Sequence, residues 1–179
     1  GGKSLYFLVH HYLRRFTMLL ENQVNHVTNG TADIQVESDI TMKITASTIS
    51  KIARTDFLDI TIGHPLHSIA YEVMVYDLMK KFSLHQYQLG YWDSVTLSNG
   101  GFYMCLRSDV TYVISTEQTS TECSSETASI IVNLFALEWL KNIDRITEKE
   151  RIHFTHLYQC LKDYAVKHID QIIIESLID

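Results

Sequence analysis

A tight turn between two aromatic segments, within residues 90–104, is the strongest local constraint on how this chain folds. Asn99-Gly100 joins two residues that tolerate positive φ, as a two-residue β-hairpin turn of the primed type requires. Strand-forming residues flank the turn, and aromatic cross-strand pairs stabilise such a hairpin by roughly 0.2–1 kcal/mol each. The sequence therefore predicts an antiparallel hairpin with strands over residues 91–97 and 101–106.

The aromatic side chains of this hairpin are Tyr91, Trp92, Phe102 and Tyr103. Because successive side chains of a strand point to opposite faces, about half of them should be buried. We expect Trp92 and one neighbouring aromatic in the core, and we expect Asp93, Asn99 and Tyr103 to be accessible. An aromatic platform for single-stranded nucleic acid would also need a positively charged groove, and the sequence offers no basic block to form one.

Helical spacing and capping residues dominate the rest of the chain. Helices are predicted over residues 4–24, 48–54, 65–82, 125–141, 147–168 and 170–177. Ser124 is expected to cap the helix that starts at 125, which is apolar on more than one face and so is the predicted central helix. Thr147 and Glu150 fit a capping box. In the helix at 65–82, the predicted buried stripe is Ile69, Val73, Tyr76 and Met79.

The strand signals outside the hairpin lie in residues 34–44, which alternate polar and apolar, and in residues 110–116. Short turns favour an antiparallel meander of residues 91–97, 101–106 and 110–116. The sequence therefore predicts an α+β fold, in which a small antiparallel sheet of three to four strands, a meander, packs against several helices.

Two regions are expected along the chain. Residues 1–32 are predicted to be an amphipathic helix and a loop, and residues 33–179 the main domain. The helix would pack on its own domain or, in the alternative interpretation, either associate with a second copy to give a homo-oligomer or dock on a partner.

The charge balance bears on partners. The chain has 21 acidic residues against 15 Lys and Arg, a formal net charge of −6. Duplex DNA carries one negative charge per about 1.7 Å of axis, so a DNA mimic would need a far larger one-sided excess of acids. We therefore expect neither DNA mimicry nor strong direct DNA binding. Three cysteines without a CxxC pair fit reduced thiols, and no apolar run is long enough to span a bilayer, so a cytoplasmic protein without membrane association is predicted.

Candidate catalytic and metal-binding patterns are weak. His64-x-x-His67 and His153-x-x-His156 have ligand-like spacing, but they are pairs, whereas zinc sites use three or four converging ligands. No phosphate-binding glycine fingerprint occurs. Of the three thiols, Cys123 precedes a predicted helix whose dipole would favour its thiolate, while Cys105 and Cys160 fit apolar fillers. We predict no catalytic residue, no metal and no cofactor; the alternative is an enzyme of unknown reaction with a His- or Cys-containing pocket.

Residues 90–104 also resemble the signature of the ArdB/KlcA antirestriction family, which reads approximately Gly-Tyr-Trp-Asp, two aromatics and a variable residue, then Leu-Ser-Asn-Gly-Gly-Phe-Tyr-Met. The resemblance covers roughly residues 40–179 and includes residues 72–77, 126–137 and 161–165. At residues 57–63 this chain lacks the proline and the second phenylalanine of the family's Phe-x-Pro-x-x-Phe-Gly segment.

The resemblance implies a protein that relieves restriction by host type I restriction-modification systems and protects incoming plasmid or phage DNA. We expect it to act by binding or interference rather than catalysis, with the type I complex or its translocating or restriction subunit as partner. The candidate interaction residues are Tyr91, Trp92, Asp93, Ser98, Asn99, Gly100, Gly101, Phe102 and Tyr103. A nucleic-acid-binding accessory protein of a mobile element is a further alternative.

Overall fold

The computed structural model describes residues 43–49 and 56–178. In chain order the elements are β1 (Ala46–Thr48), α1 (Phe57–Ile62), α2 (Pro65–Phe82), β2 (Tyr91–Leu97), β3 (Phe102–Arg107), β4 (Tyr112–Ser115), β5 (Ser120–Cys123), α3 (Ser125–Asn142), α4 (Glu148–Ala165) and α5 (Gln171–Ile178). The helix predicted at 4–24 lies outside the described residues. Residues 34–42 of the predicted strand and residues 50–54 of the predicted helix also lie outside the described residues. Thr48, the first residue of that predicted helix, is instead the last residue of β1.

The strands form two antiparallel sheets, one in the order β1-β2-β3 and one pairing β4 with β5. In the β2–β3 register, Trp92 lies opposite Leu106 and Val95 opposite Tyr103. Helices with small antiparallel sheets confirm the predicted α+β class. The place of residues 110–116 was predicted wrongly, because β4 does not continue the hairpin but pairs with β5, which the sequence did not indicate.

The edge of β3 that faces away from β2 is closed by helix side chains, which explains why β4 pairs elsewhere. Asn133 of α3 donates from Nδ2 to the carbonyl of Met104 (2.8 Å), and its Oδ1 accepts from the Met104 amide (2.8 Å). Two residues along, the Leu106 amide donates to Oγ of Ser129 (2.9 Å). These are the bonds that a neighbouring strand would make, so two side chains of a helix close this edge.

α3 is the central helix, as predicted. Thirteen of its residues are buried, which requires cover on more than one face, and it packs against β3, α2, α4 and α5. Oγ of Ser124 accepts from the Thr127 amide and caps the helix, as expected. The capping box of Thr147 and Glu150 at the start of α4 is also confirmed.

α1 and α2 meet at a sharp corner. Gly63 ends α1 with φ of 83°, a left-handed conformation that glycine adopts at little cost. The next helix starts at Pro65, whose missing N–H is harmless in a first turn, and Nδ1 of His64 accepts from the Leu66 amide as the cap. Among the described helices, none is both long and apolar enough to cross a membrane.

Candidate functional site

The turn of the β2–β3 hairpin contains three residues, Ser98, Asn99 and Gly100. The carbonyl of Leu97 accepts from the Gly100 amide (3.0 Å), and the Leu97 amide donates to the carbonyl of Gly101 (2.8 Å). Gly100 has φ of +89°, whereas Asn99 does not take positive φ. This is the three-residue turn with a left-handed glycine. The hairpin is thus confirmed, and its predicted two-residue primed turn was wrong.

The side chain of Asn99 explains why the turn has three residues rather than two, because this side chain bonds to α4. Its Nδ2 donates to the carbonyl of Cys160 (2.8 Å), and its Oδ1 accepts from the Gly101 amide (3.1 Å). The Cys160 thiol returns a bond to the Asn99 carbonyl (3.3 Å). A Cβ on Gly101 would lie 2.7 Å from Cβ of Cys160, so only glycine allows this approach. The turn is therefore anchored on α4, while Ser98 and Gly100 stay exposed.

Burial divides the candidate interaction residues. Tyr91 is 50% exposed and Trp92 is half-buried, whereas Phe102 and Tyr103 are each 1% exposed. Asp93 is 8% exposed, so the predicted accessibility of Asp93 and Tyr103 was wrong. Two aromatics are indeed in the core, but they are Phe102 and Tyr103, and Trp92 stands at the margin.

Helices cover both faces of β3, which explains these burials. On one face the ring of Phe102 packs 5.5 Å from that of Tyr71 in α2. On the other, the ring of Tyr103 stacks 5.9 Å from that of Tyr164 in α4, and its hydroxyl donates to Glu126 of α3 (3.0 Å). Burial, followed by the charge of Glu126, raises the pKa of Tyr103. Its phenol therefore remains a hydrogen-bond donor at neutral pH.

A cleft of about 390 Å³ lies on the Tyr103 face of the sheet. Asp93 accepts two bonds there from Arg107, from Nε at 2.8 Å and from Nη2 at 2.5 Å. The Arg107 guanidinium lies 5.2 Å from the centroid of the Tyr91 ring. Arg107 therefore contacts both Asp93, which lines this cleft, and the exposed Tyr91, and Glu126 lines the cleft as well.

A larger cleft, about 510 Å³, lies on the opposite face between the hairpin and helices α1 and α2. We call it the aromatic cleft and define it by Asp59, Ile69, Glu72, Tyr76, Tyr91 and Trp92. The hydroxyl of Tyr76 donates to Oε1 of Glu72 (2.6 Å). The Trp92 ring lies 5.6 Å from that of Tyr76, and its Nε1 donates to the hydroxyl of Tyr87 (2.9 Å). Burial, followed by the bond to Glu72, raises the pKa of Tyr76, which keeps its hydroxyl protonated.

The sequence pattern did not indicate this cleft, because it predicted that two side chains lining the cleft, Ile69 and Tyr76, lie in the core. Of the predicted stripe, Met79 is fully buried, but Ile69 is 47% exposed and Tyr76 is half-buried. The signal that was present is the spacing of Glu72 and Tyr76, four residues apart on one helix face, where side chains meet.

One of the two histidine pairs lies close in space, beside an acidic side chain. The rings of His64 and His67 are 4.7 Å apart, and Nδ1 of His67 lies 3.5 Å from Oε1 of Glu150. Nε2 of His153 contacts the carbonyl of Thr61 (2.7 Å). Within residues 43–49 and 56–178, no three His, Cys, Asp or Glu side chains are grouped to hold a metal ion.

The thiols are poor nucleophiles in this structure. Burial raises the pKa of Cys105 to about 11 and that of Cys123 to about 11, so the expected stabilisation of the Cys123 thiolate by a helix dipole was wrong. Sγ of Cys160 lies 3.6 Å from Nε2 of His156. Burial and the charge of Asp163 also raise the pKa of Cys160, whose S–H donates to the hairpin. A nucleophile would need the opposite shift.

The architecture is that of a mixed α+β protein, in which the β2–β3 hairpin packs between helices and its sheet has an open cleft on each face. A family model described as "Antirestriction protein" matches residues 85–179. The chain belongs to this antirestriction family, that of the ArdB and KlcA proteins.

Two relatives and one solved structure are similar to this chain. An antirestriction protein KlcA of Escherichia coli is 29% identical over 143 residues, covering 76% of this chain and 95% of the relative. A second KlcA of that species is 32% identical over 111 residues, covering 60% and 73%. The solved structure has a TM-score of 0.70 and 28% identity, and covers 82% of this chain and 100% of its own. It is described as showing, for KlcA and ArdB, a novel fold and activity against type I DNA restriction systems in vivo but not in vitro.

Proposed function

We propose that this protein relieves restriction by host type I restriction-modification systems, and that it does so by contact with their components rather than by turnover. The observation that carries this proposal is the match to a complete antirestriction protein structure, at a TM-score of 0.70 and over 82% of this chain. That protein acts against type I systems in vivo. The protected molecule would be unmodified plasmid or phage DNA that enters the host cytoplasm.

The chemistry of the described residues supports binding rather than catalysis. The three thiols have raised pKa values, so they are mostly protonated at neutral pH. Cys160 and His156 are neighbours, yet the thiol already donates to the hairpin turn, which is a structural use of the pair. The net charge of −6 is too small to imitate the phosphate charge of a DNA site.

We propose the hairpin and the adjoining α2 surface as the contact region. Tyr91 and Ser98 are exposed and Trp92 lies at the open aromatic cleft. The other candidates would support this surface. Phe102 and Tyr103 would fix the two faces of the hairpin, and Asp93, Asn99, Gly101 and the exposed Gly100 would set its end and its turn. The proposed partner is the type I complex or its translocating subunit.

The test is a phage infection in cells, because the matched structure's protein is described as active in vivo but not in vitro. Unmodified phage is plated on a host with a type I system, with and without expression of this protein. Plating efficiency is expected to rise toward that on a restriction-deficient host. Modified phage is the control and should plate equally well in both cases.

No rise in plating efficiency, with the folded protein present at the level of an active KlcA, would overturn the proposal. The number of phage released from each infected cell should stay unchanged on the restriction-deficient host. A general effect on phage growth would appear there too, and it would argue against relief of restriction.

A further inference from the structure

We propose that the aromatic cleft binds an arginine side chain from a basic surface of the partner protein; this rests on the proposed function for the identity of the partner. The cleft is defined above by Asp59, Ile69, Glu72, Tyr76, Tyr91 and Trp92. Its charge and its aromatic walls favour this occupant, and its size admits it.

The charge of the cleft is one-sided. Asp59 and Glu72 line it, and no Lys or Arg does so among the described residues. Asp59 is exposed and Glu72 is half-buried, so both carboxylates can be reached from solvent. A carboxylate has about four acceptor positions, and the Tyr76 hydroxyl occupies one of those on Glu72. The remaining positions suit the N–H donors of a cation.

The aromatic walls favour a guanidinium over a compact ammonium. A cation is attracted to the face of Trp above all, and the planar guanidinium both stacks on rings and forms paired bonds with a carboxylate. The Trp92 ring is held by its bond to Tyr87 and lies 5.6 Å from the Tyr76 ring. Arg107, which lines the opposite cleft, lies 5.2 Å from the Tyr91 ring, which is an example of this pairing within the protein.

The volume of the cleft and the DNA binding of the proposed partner are consistent with an arginine as the occupant. A volume of about 510 Å³ falls within the range of small-ligand sites, roughly 300–1,000 Å³, and exceeds what one side chain needs. Proteins that move along DNA hold its phosphates with Arg and Lys. A contact with such an arginine would need no imitation of the charge of a duplex.

The direct test uses the full chain and two short acetylated, amidated peptides, Gly-Ser-Arg-Gly-Ser and the same peptide with citrulline, which is uncharged and nearly isosteric. Binding is followed by the NMR signal of the Trp92 indole N–H, assigned with Trp92→Phe. We expect the arginine peptide to shift this signal in a saturable way and the citrulline peptide to leave it unchanged. Binding should weaken near 1 M salt, where the Debye length is about 3 Å.

Glu72→Gln is the informative variant, because glutamine still accepts the Tyr76 hydrogen bond but carries no charge. We expect about ten-fold weaker peptide binding, as charge-assisted bonds are about twice as strong as neutral ones. Glu126→Gln is the matched control in the other cleft and should bind like the wild type. Equal binding by Glu72→Gln, or by the citrulline peptide, would overturn the inference.

The cell assay separates this inference from the proposed function. If the wild type protects unmodified phage and Glu72→Gln protects equally, the inference fails while the proposed function stands. If the wild type does not protect, the proposed function fails, and the peptide titration alone decides whether the cleft binds arginine. Self-association in sedimentation that Glu72→Gln abolishes would make a second copy the occupant and would overturn the assignment to a partner protein.

Discussion

Asn133 supports the hairpin through its side-chain amide, which, together with Ser129, makes the bonds of a neighbouring strand. Its Oδ1 accepts from the Met104 amide and from the Tyr71 hydroxyl, and its Nδ2 donates to the carbonyls of Met104 and Ser129. The residue is fully buried. Every hydrogen-bonding position of the side chain is therefore used where water is excluded.

Asn133→Leu is expected to lower the free energy of unfolding by about 3 kcal/mol or more, because each buried polar group left without a partner costs about 1–3 kcal/mol. Leucine has a similar size but satisfies neither Met104 nor Tyr71. Urea unfolding measures the change. Asn142→Leu on the same helix is the control, since Asn142 is exposed and bonds only locally to Glu138, and the expected change there is within about 0.5 kcal/mol. Equal effects of the two substitutions would contradict the role given to Asn133.

His67 is expected to make stability depend on pH below its ordinary pKa of 6.5. Burial lowers the pKa of His67 from its ordinary 6.5; nearby Glu150 partly offsets this and nearby His64 adds to it. The unfolded chain therefore binds a proton at a higher pH than the folded chain does. By linkage, the free energy of unfolding falls as pH drops below 6.5, until the folded-state pKa is passed.

Two substitutions without a titrating ring test this expectation. His67→Gln and His67→Phe should both reduce the slope of unfolding free energy against pH in urea titrations from pH 7.5 to 5.5, although they differ in packing. A slope that persists in both variants would assign the pH dependence to other groups. A slope lost in one variant only would point to packing rather than to the proton.

At the scale of elements, the contact between the hairpin turn and α4 is a close backbone approach. Gly101→Ala is expected to destabilise the protein by about 1–3 kcal/mol, the usual cost of overpacking, because the new Cβ would lie 2.7 Å from Cβ of Cys160. Cys160→Gly removes the opposing Cβ. In that background Gly101→Ala should cost clearly less, as a double-mutant cycle with urea unfolding would show. Additive effects would mean that the turn and α4 do not press on each other.

The elements that the sequence predicted correctly are those with local causes. The starts of α3 and α4 follow from Ser124 and from the capping box of Thr147, which involve residues three positions apart. The turn type could not be predicted from local sequence, because the side-chain amide of Asn99 donates to the carbonyl of Cys160, 61 residues away. The pairing of β4 was missed for the same reason, since side chains of α3 close the edge of β3.

At the scale of the molecule, the residue pattern indicated the family but not which signature residues face solvent. Alternation in a strand predicts one wet face, yet both faces of β3 are covered, by α2 on the Phe102 side and by α4 on the Tyr103 side. Helix packing of this kind depends on distant parts of the chain. The open cleft beside Trp92 is the part of the Phe102 face that the helices leave uncovered, and only the tertiary structure shows it.

Protection of unmodified phage is expected not to require residues 1–32. The match to the solved structure uses 82% of this chain and covers 100% of the solved chain. The match to the first KlcA relative uses 76% of this chain and covers 95% of the relative. The resemblance in the sequence begins near residue 40. A variant without residues 1–32 is therefore expected to keep its protection of unmodified phage, measured by plating efficiency at matched protein levels in cells. Loss of protection, with thermal unfolding of the variant unchanged, would instead assign residues 1–32 a part in the antirestriction activity.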